Sequence, residues 1–163
     1  MSVRYLGLAP YLYYLDATEA VDWLVRVFGF TEKVRFVDSA GLVFQARLGV
    51  GDGEIQLACA GEDYWEAKGV EGPVGQLNIV YVDDVDAQYE RVCTALGKGS
   101  DVSTPQDQPY GARVFTVADI GGNTWTFWQQ VSKAVELPSG WREIRPGLED
   151  PDQPTTTTRA SNG

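Results

Sequence analysis

The sequence contains an internal repeat, and this repeat restricts the possible fold more than any other feature. Residues 14–17 (Tyr-Leu-Asp-Ala) lead into an apolar-periodic segment that ends at Gly29, and residues 81–84 (Tyr-Val-Asp-Asp) lead into a similar segment that ends at Gly97. The aspartates Asp16 and Asp83 are 67 residues apart. A glycine-rich turn also precedes the last strand of each half. The same order of features in both halves predicts two similar modules in tandem.

Local signals predict one long helix and four strands in each module. Asp16 has a side chain suited to capping helix amides, Glu19 completes a capping box, and Gly29 suits the left-handed end of a helix. Apolar residues at helical spacing then predict helices at about 17–28 and 84–96. The predicted strands lie at about 9–15, 32–37, 42–49, 53–59, 76–82, 100–104, 112–118 and 123–130. The predicted fold class is therefore α+β, with two tandem βαβββ modules.

The modules are expected to form one domain over residues 1–132, at about 5–60 and 75–131. The acidic, glycine-containing stretch between them is interpreted as a connector, because a single four-stranded module has too little core to stand alone. Residues 133–163 are expected to form a C-terminal extension. From about residue 149 its only apolar side chain to bury is one alanine, which predicts mobility in solution.

The charge balance bears on the possible partners. A net charge of −10 argues against nucleic acid and anionic membranes. Residues 52–71 contain six acids and a single base, Lys68. No apolar run approaches the roughly 20 residues that span a bilayer, and the N-terminal residues do not resemble a signal peptide. We therefore expect a cytoplasmic protein, in which Cys59 and Cys93 remain reduced.

Three features together resemble the vicinal oxygen chelate superfamily, which includes glyoxalase I and the bleomycin-resistance proteins. They are the repeat, the Val-Asp-Asp-Val-Asp-Ala segment at 82–87, and the Tyr-Gly-Ala-Arg segment at 110–113 followed by Asp-Ile-Gly-Gly-Asn-Thr-Trp-Thr-Phe at 119–127. The resemblance covers residues 5–131 and is greatest to small bleomycin-resistance-like members. It implies paired curved sheets around a cavity, and a homodimer with ligand clefts shared by both chains.

Enzymes of this superfamily hold a divalent metal on the first and last strands of each module, usually through His and Glu. This sequence contains no histidine. A lone carboxylate such as that of Glu54 does not make a metal site. We therefore expect no metal and no cofactor. The positions that correspond to the metal ligands are Ala9, Leu77 or Gln76, Gln56 and Thr126.

The side chains near these positions are largely aromatic or polar. Since alternate residues of a strand share a face, several of them are expected to point into the cavity, with a tryptophan of the connector at its mouth. Aromatic rings that converge with a few polar groups are typical of a stacking pocket for a planar or cationic molecule. The predicted ligand-binding residues are Tyr11, Tyr13, Glu54, Gln56, Trp65, Thr126 and Trp128.

Two functions remain open from the sequence. The favoured one is a metal-free small-molecule binding protein that sequesters a planar or cationic natural product or drug, as resistance members of the superfamily do. The alternative is a metal-independent isomerase or cyclase acting on an aromatic small molecule, with Glu54 or a tyrosine as acid or base. The absence of histidine from the sequence favours binding, because no imidazole is available as a general base.

We predict that the purified protein contains no stoichiometric transition metal, because the expected ligand positions lack imidazole and carboxylate groups. Elemental analysis should find far less than one Zn, Ni, Mn or Fe per chain. A content near one metal ion per chain would contradict this prediction.

Overall fold

The computed structural model describes residues 4, 6–71, 75–134 and 136–140, which form two four-stranded sheets with one long helix each. The predicted α+β fold of two βαβββ modules is confirmed. The predicted mobile segment from residue 149 lies outside the described residues. The first module consists of β1 (Tyr11–Tyr14), α1 (Ala17–Phe28), β2 (Thr31–Val37), β3 (Val43–Val50) and β4 (Gly53–Cys59). The second consists of β5 (Leu77–Tyr81), α3 (Val85–Leu96), β6 (Gln106–Asp107), β7 (Ala112–Ala118) and β8 (Thr124–Gln130).

Both sheets have the same topology. The strand orders are β1-β4-β3-β2 and β5-β8-β7-β6, with the first pair parallel and the other pairs antiparallel. A short helix, α2 (Glu62–Glu66), lies in the connector between the modules, where the sequence predicted no helix. Among the described residues, no helix has the length and hydropathy needed to cross a membrane.

Both long helices begin at aspartate caps. The Asp16 carboxylate accepts a hydrogen bond from the Glu19 amide at 2.9 Å, and the Asp84 carboxylate accepts one from the Ala87 amide at 2.9 Å. The cap of the second module is therefore Asp84, and not Asp83, which the sequence repeat aligned with Asp16. The two helix caps are 68 residues apart. This offset makes Leu77, rather than Gln76, the counterpart of Ala9.

The strand predicted at 100–104 is wrong, since the strand lies instead at Gln106–Asp107. Within the predicted range, Val102 forms an isolated bridge with Val117. Ser103 donates its backbone amide to the Thr116 carbonyl, but the Thr116 amide bonds to the Ser103 hydroxyl at 2.7 Å instead of a backbone carbonyl. Pro105 then supplies no amide hydrogen. The Ser103 hydroxyl thus replaces the backbone carbonyl that would accept the Thr116 amide in a regular β-ladder.

The two modules share one hydrophobic core. Helices α1 and α3 contact each other, with the Arg26 guanidinium donating to the Ala95 carbonyl at 2.9 Å. The Phe28 ring at the end of α1 meets Trp125 and Phe127 of β8 edge to face, at centroid distances of 5.4 and 5.1 Å. Core residues from the strands of both sheets belong to the same cluster; they include Leu12, Tyr14, Leu48, Leu57, Phe115, Trp125 and Phe127.

A buried carboxylate joins the modules through hydrogen bonds. Asp119, in the turn before β8, accepts from the Tyr14 hydroxyl of β1 at 2.6 Å and from the Trp125 indole at 2.9 Å. Its other oxygen accepts from the backbone amides of Gly121 and Asn123 at 2.8 and 3.0 Å. A Cβ atom on Gly121 would overlap the Tyr14 ring, so this turn requires glycine.

The shared core determines where the remaining sheet faces point. Because successive side chains alternate across a strand, each sheet that turns one face to the core turns the other away from it. Each sheet therefore has one outward face. Residues of both outward faces, Glu54 and Ile79 among them, border one groove between the modules.

We predict that Tyr14→Phe destabilises the fold by about 1–3 kcal/mol near neutral pH, because it removes a buried hydrogen bond to a carboxylate. Burial, and then the Asp119 charge, raise the pKa of Tyr14 above its ordinary value of 10.0. The neutral phenol thus stabilises the native state fully below pH 10, and this contribution is lost as the pH rises above 10. Urea unfolding at several pH values should show the parent losing stability above pH 10 more steeply than Tyr14→Phe.

The control variant is Leu42→Ala, since Leu42 is 59% exposed in the turn between β2 and β3 and has no ionisable group. It should unfold like the parent at every pH. Equal stability of Tyr14→Phe and the parent near neutral pH would contradict the proposed role of the Asp119 network.

Candidate functional site

The outward faces of the two sheets carry most of the residues predicted to bind ligand. On the first sheet, side chains from all four strands lie on this face, and on the second sheet side chains of β5 and β8 lie on it. On the first sheet they include Tyr11, Tyr13, Lys33, Arg47, Glu54 and Gln56. On the second sheet they include Leu77, Ile79, Tyr81, Thr124, Thr126 and Trp128.

A half-open cavity of about 340 Å³ lies between β1 and the connector; we call it the β1–α2 cavity. The rings of Tyr11 and Tyr13 are 5.2 Å apart between centroids, and Tyr13 packs against Tyr64 at 4.4 Å with an interplanar angle of 32°. Tyr11 and Tyr13 remain more than a third exposed. The cavity therefore presents aromatic surface that the chain itself leaves uncovered. Its lining consists of Tyr11, Leu12, Tyr13, Tyr64, Trp65, Lys68, Val70, Gln76 and Asn123.

Helix α2 contributes two aromatic residues to this cavity, Trp65 and Tyr64, which differ in how deeply they are buried. Trp65 is only 4% exposed and meets Tyr64 edge to face at 5.3 Å. Its ring is thus a fixed wall of the cavity. Tyr64 is half-buried and is the partner of Tyr13 in the aromatic cluster. Tyr64 was not among the predicted ligand-binding residues, although it is adjacent to Trp65 in the sequence.

Lys68 places a cation beside these rings. Its Nζ atom donates to the Tyr64 hydroxyl at 2.6 Å and lies 4.4 Å from the centroid of the Tyr64 ring. Hydrogen bonding from the ammonium group lowers the pKa of the Tyr64 phenol. Sequence reasoning missed this residue as a site component, although the i,i+4 spacing of Tyr64 and Lys68 is the spacing of neighbours on a helical turn.

Glu54 and Gln56 share the outward face of the first sheet with Tyr11 and Tyr13, but Glu54 does not line the β1–α2 cavity. The Glu54 carboxylate forms an ion pair with Lys33 at 3.2 Å. The Gln56 side-chain oxygen accepts from the Gln45 amide at 3.4 Å. Glu54 instead borders a groove of about 390 Å³ between the modules.

The second sheet carries its own aromatic cluster. Trp128 stacks on Tyr110 at 4.8 Å with an interplanar angle of 23°, and it approaches Tyr81 at 6.1 Å. The hydroxyl groups of Thr126 and Thr116 are 3.3 Å apart on the same face. Tyr110 precedes β7 in the chain, and its partnership with Trp128 could not be deduced from strand periodicity.

The predicted site residues thus fall into two groups on different sheets. Tyr11, Tyr13 and Trp65 meet at the β1–α2 cavity, with Glu54 and Gln56 further along the same face. Thr126 and Trp128 lie on the outward face of the second sheet. Within one chain, these two groups point away from the shared core on separate sheets.

The residues at the expected metal positions do not fit a divalent metal. Gln56 lies beside Tyr11, and Thr126 lies beside Ile79. They offer amide, phenol and hydroxyl oxygens and no imidazole or carboxylate, which is a poor donor set for a transition metal. Over the part of the chain that the structure describes, no three His, Cys, Asp or Glu side chains are grouped so that they could hold a metal ion.

This fold and these paired sheets define a known class of protein. Residues 8–127 match the Glyoxalase/Bleomycin resistance protein/Dioxygenase superfamily. The match spans most of the chain, and the chain belongs to this superfamily. The resemblance seen in the sequence motifs is thereby confirmed.

Two curated relatives are similar over most of their length. An uncharacterized protein of Mycobacterium tuberculosis (strain ATCC 25618 / H37Rv) is 31% identical over 132 residues, which cover 77% of this chain and 75% of that protein. An uncharacterized protein of Mycobacterium bovis (strain ATCC BAA-935 / AF2122/97) is also 31% identical over 132 residues, which cover 77% of this chain and 84% of that protein.

Solved structures share the fold. TioX from Micromonospora sp. ML1 is 35% identical, with a TM-score of 0.62 over 76% of this chain and 99% of TioX. The bleomycin-binding protein of bleomycin-producing Streptomyces verticillus, solved with copper(II)-bleomycin, is 23% identical, with a TM-score of 0.57 over 77% and 97% of the two chains. TnmS3, an antibiotic binding protein from Streptomyces sp. CB03234, is 19% identical, with a TM-score of 0.55 over 78% and 99%.

Proposed function

We propose that this chain is a metal-independent binding protein that sequesters a small planar molecule, a natural product or a drug, in a resistance-type role. The observation that carries the proposal is the β1–α2 cavity, where Tyr11, Tyr13 and Tyr64 form an uncovered aromatic cluster against the buried wall of Trp65. Its volume of about 340 Å³ lies at the lower end of the range of small-molecule sites. Aromatic surface of this kind stabilises a bound ring by stacking.

The structural relatives are consistent with this proposal. Two of them are proteins named for binding bleomycin or an antibiotic, and both have the same fold as this chain. Binding of this kind depends on shape and stacking and needs no reacting group. Both described cysteines, Cys59 and Cys93, are free thiols, as the proposed cytoplasmic location requires.

The alternative of an isomerase or cyclase has weaker support from the site. Glu54 or a tyrosine was the expected acid or base. The Glu54 carboxylate is paired with Lys33 and lies outside the β1–α2 cavity, and the tyrosines of the cavity pack in the aromatic cluster. A general base must reach the proton that it abstracts in the bound substrate. Stacking and sequestration require only the aromatic groups that the cavity presents.

We further propose that the working unit is a homodimer in which the first sheet of one chain faces the second sheet of its partner. Each outward face is open in a single chain, and the second one exposes Leu77, Ile79 and Tyr81 at 62%, 47% and 75%. Apolar surface of this kind is characteristic of an interaction site. Twofold symmetry would create two identical clefts, each combining the cluster around Tyr13 with the cluster around Trp128.

We predict that Tyr13→Ala and Trp128→Ala each weaken the binding of a neutral two-ring probe, 2-naphthamide, by about 5- to 150-fold. Loss of one stacking ring costs roughly 1–3 kcal/mol, and 1.4 kcal/mol corresponds to a tenfold change in Kd. Fluorescence titration measures the Kd values. The control Leu42→Ala, in the exposed turn between β2 and β3, should bind like the parent.

Two outcomes would contradict this assignment. If Tyr13→Ala and Trp128→Ala both bind the probe as tightly as the parent does, the aromatic clusters do not form the binding surface. Mass spectrometry of the probe and of candidate natural products after incubation should return each compound unchanged. A stoichiometric or catalytic mass change would support an enzyme instead.

The dimer is tested separately. Light scattering at micromolar concentration should give a mass of about 36 kDa, twice the 17.9 kDa of one chain. Ile79→Lys places a charge on the outward face of the second sheet and should shift the protein toward monomers, because an unpaired charge at an apolar interface is costly. The matched control Leu42→Lys should leave the mass unchanged. A parent mass near 17.9 kDa would rule out the dimer under these conditions.

A further inference from the structure

The β1–α2 cavity has an unusual charge for a protein of net charge −10. Its lining contains one charged side chain, that of Lys68, and no carboxylate. The acids of helix α2, Glu62, Asp63 and Glu66, are exposed and do not line the cavity. Glu71, which follows the lining residue Val70, is exposed and does not line the cavity, and residues 72–74 are uncharged in the sequence. The described lining thus carries a positive charge in an acidic chain.

Lys68 is available to a ligand, whereas Lys33 and Arg35 of β2 are engaged with carboxylates. Lys33 pairs with Glu54 at 3.2 Å, and Arg35 pairs with Glu32 at 2.6 Å. Among the described residues, Lys68 forms no ion pair with a carboxylate; its recorded partner is the neutral oxygen of Tyr64. An ammonium group has three donor hydrogens, so two remain for other acceptors.

The two amide side chains of the lining, those of Asn123 and Gln76, already form hydrogen bonds within the protein. The Asn123 amide nitrogen donates to Asp119, and its oxygen accepts from the Gln76 backbone amide at 3.1 Å. The Gln76 side chain donates to the Asn78 oxygen at 2.8 Å. The strongest donor left for a ligand oxygen is therefore the Lys68 ammonium group, placed directly beside the ring cluster.

The outward face of the first sheet adds to the positive charge near the cavity. Arg47 lies beside Gln56 on this face and is exposed, and the Lys33–Glu54 pair is neutral overall. With Lys68, the face and its cavity have two cations in excess. A cationic ligand would meet like charges here, while an anionic one would meet opposite charges.

We propose that the β1–α2 cavity selects planar aromatic molecules that carry an anionic oxygen, a carboxylate or a phenolate, with Lys68 as the counter-ion and the rings of Tyr13 and Tyr64 as the stacking surface. This inference rests on the proposed binding function and names its ligand class. It chooses the planar alternative over the cationic one. The Tyr64 hydroxyl oxygen already accepts a hydrogen bond from the Lys68 ammonium group at 2.6 Å, which is the type of contact that a ligand oxygen would make.

Three probes of equal ring size test the proposal: 2-naphthoate, neutral 2-naphthamide and the cationic 2-naphthyltrimethylammonium. Calorimetric titration of the full chain should give 2-naphthoate an affinity about fivefold higher than that of 2-naphthamide, since an exposed ion pair contributes a modest free energy. The preference should decrease at high salt, because screening weakens only the charge interaction. The cationic probe should bind most weakly.

Lys68→Met should reduce the affinity for 2-naphthoate to that for 2-naphthamide and leave the amide unchanged, while Lys68→Arg should retain the preference. Lys98→Met, which makes the same charge change at the far end of α3, is the matched control and should behave like the parent. Circular dichroism verifies that each variant is folded.

The outcomes separate the inference from the proposed function. If the parent binds 2-naphthoate and 2-naphthamide equally, or binds the cationic probe most tightly, the proposed selection for anions is wrong, while the proposed stacking site is retained. If the preference survives in Lys68→Met, Lys68 is not the counter-ion. If none of the three probes binds at millimolar concentration, the proposed function of the cavity fails together with the inference.

Discussion

The Asp119 carboxylate connects the two modules through hydrogen bonds in the protein interior. It is buried and accepts hydrogen bonds from the Tyr14 hydroxyl of the first module and from the Trp125 indole of the second. A buried charge is tolerated only when its lone pairs are satisfied, and removal of one partner is costly. The network therefore fixes β1 against the turn before β8, and with it the orientation of both sheets around the common core.

The orientation of the sheets connects stability to the site. On β1, Tyr14 points inward to Asp119, and its neighbour Tyr13 points outward to the β1–α2 cavity. The same four-residue strand thus supplies a core contact and a ring of the proposed binding surface. Because both sheets turn one face to a shared core, their other faces open outward, and the proposed homodimer would cover them with a second copy of the chain.

Much of the fold followed from the sequence because the signals were local. The caps at Asp16 and Gly29 and the apolar spacing behind them predicted the bounds of α1, and the repeat predicted the second module. The strand predicted at 100–104 was wrong because the Ser103 hydroxyl takes the place of a backbone carbonyl, which periodicity does not reveal. The one-residue error at Asp83 arose because either of two adjacent aspartates could cap the helix.

The site was only partly predictable, for a different reason. Alternation correctly placed Tyr11 and Tyr13 on one face, and Trp128 with Thr126 on another. It does not specify how the two sheets are oriented to each other, which depends on the tertiary contacts of the core. The pairing of Tyr64 with Lys68 depends on α2, a helix of five residues whose sequence signal is too short to recognise.

The position of the cation on the connector has an evolutionary consequence. Trp65 is the buried residue of helix α2, while Tyr64 and Lys68 are less buried and form a hydrogen bond with each other. Under the proposed function, substitutions at these two positions would alter ligand preference with little effect on the core that α1, α3 and both sheets build. A lineage of such proteins could diversify its chemical targets through a few surface positions of one short segment while the two-module scaffold stays unchanged.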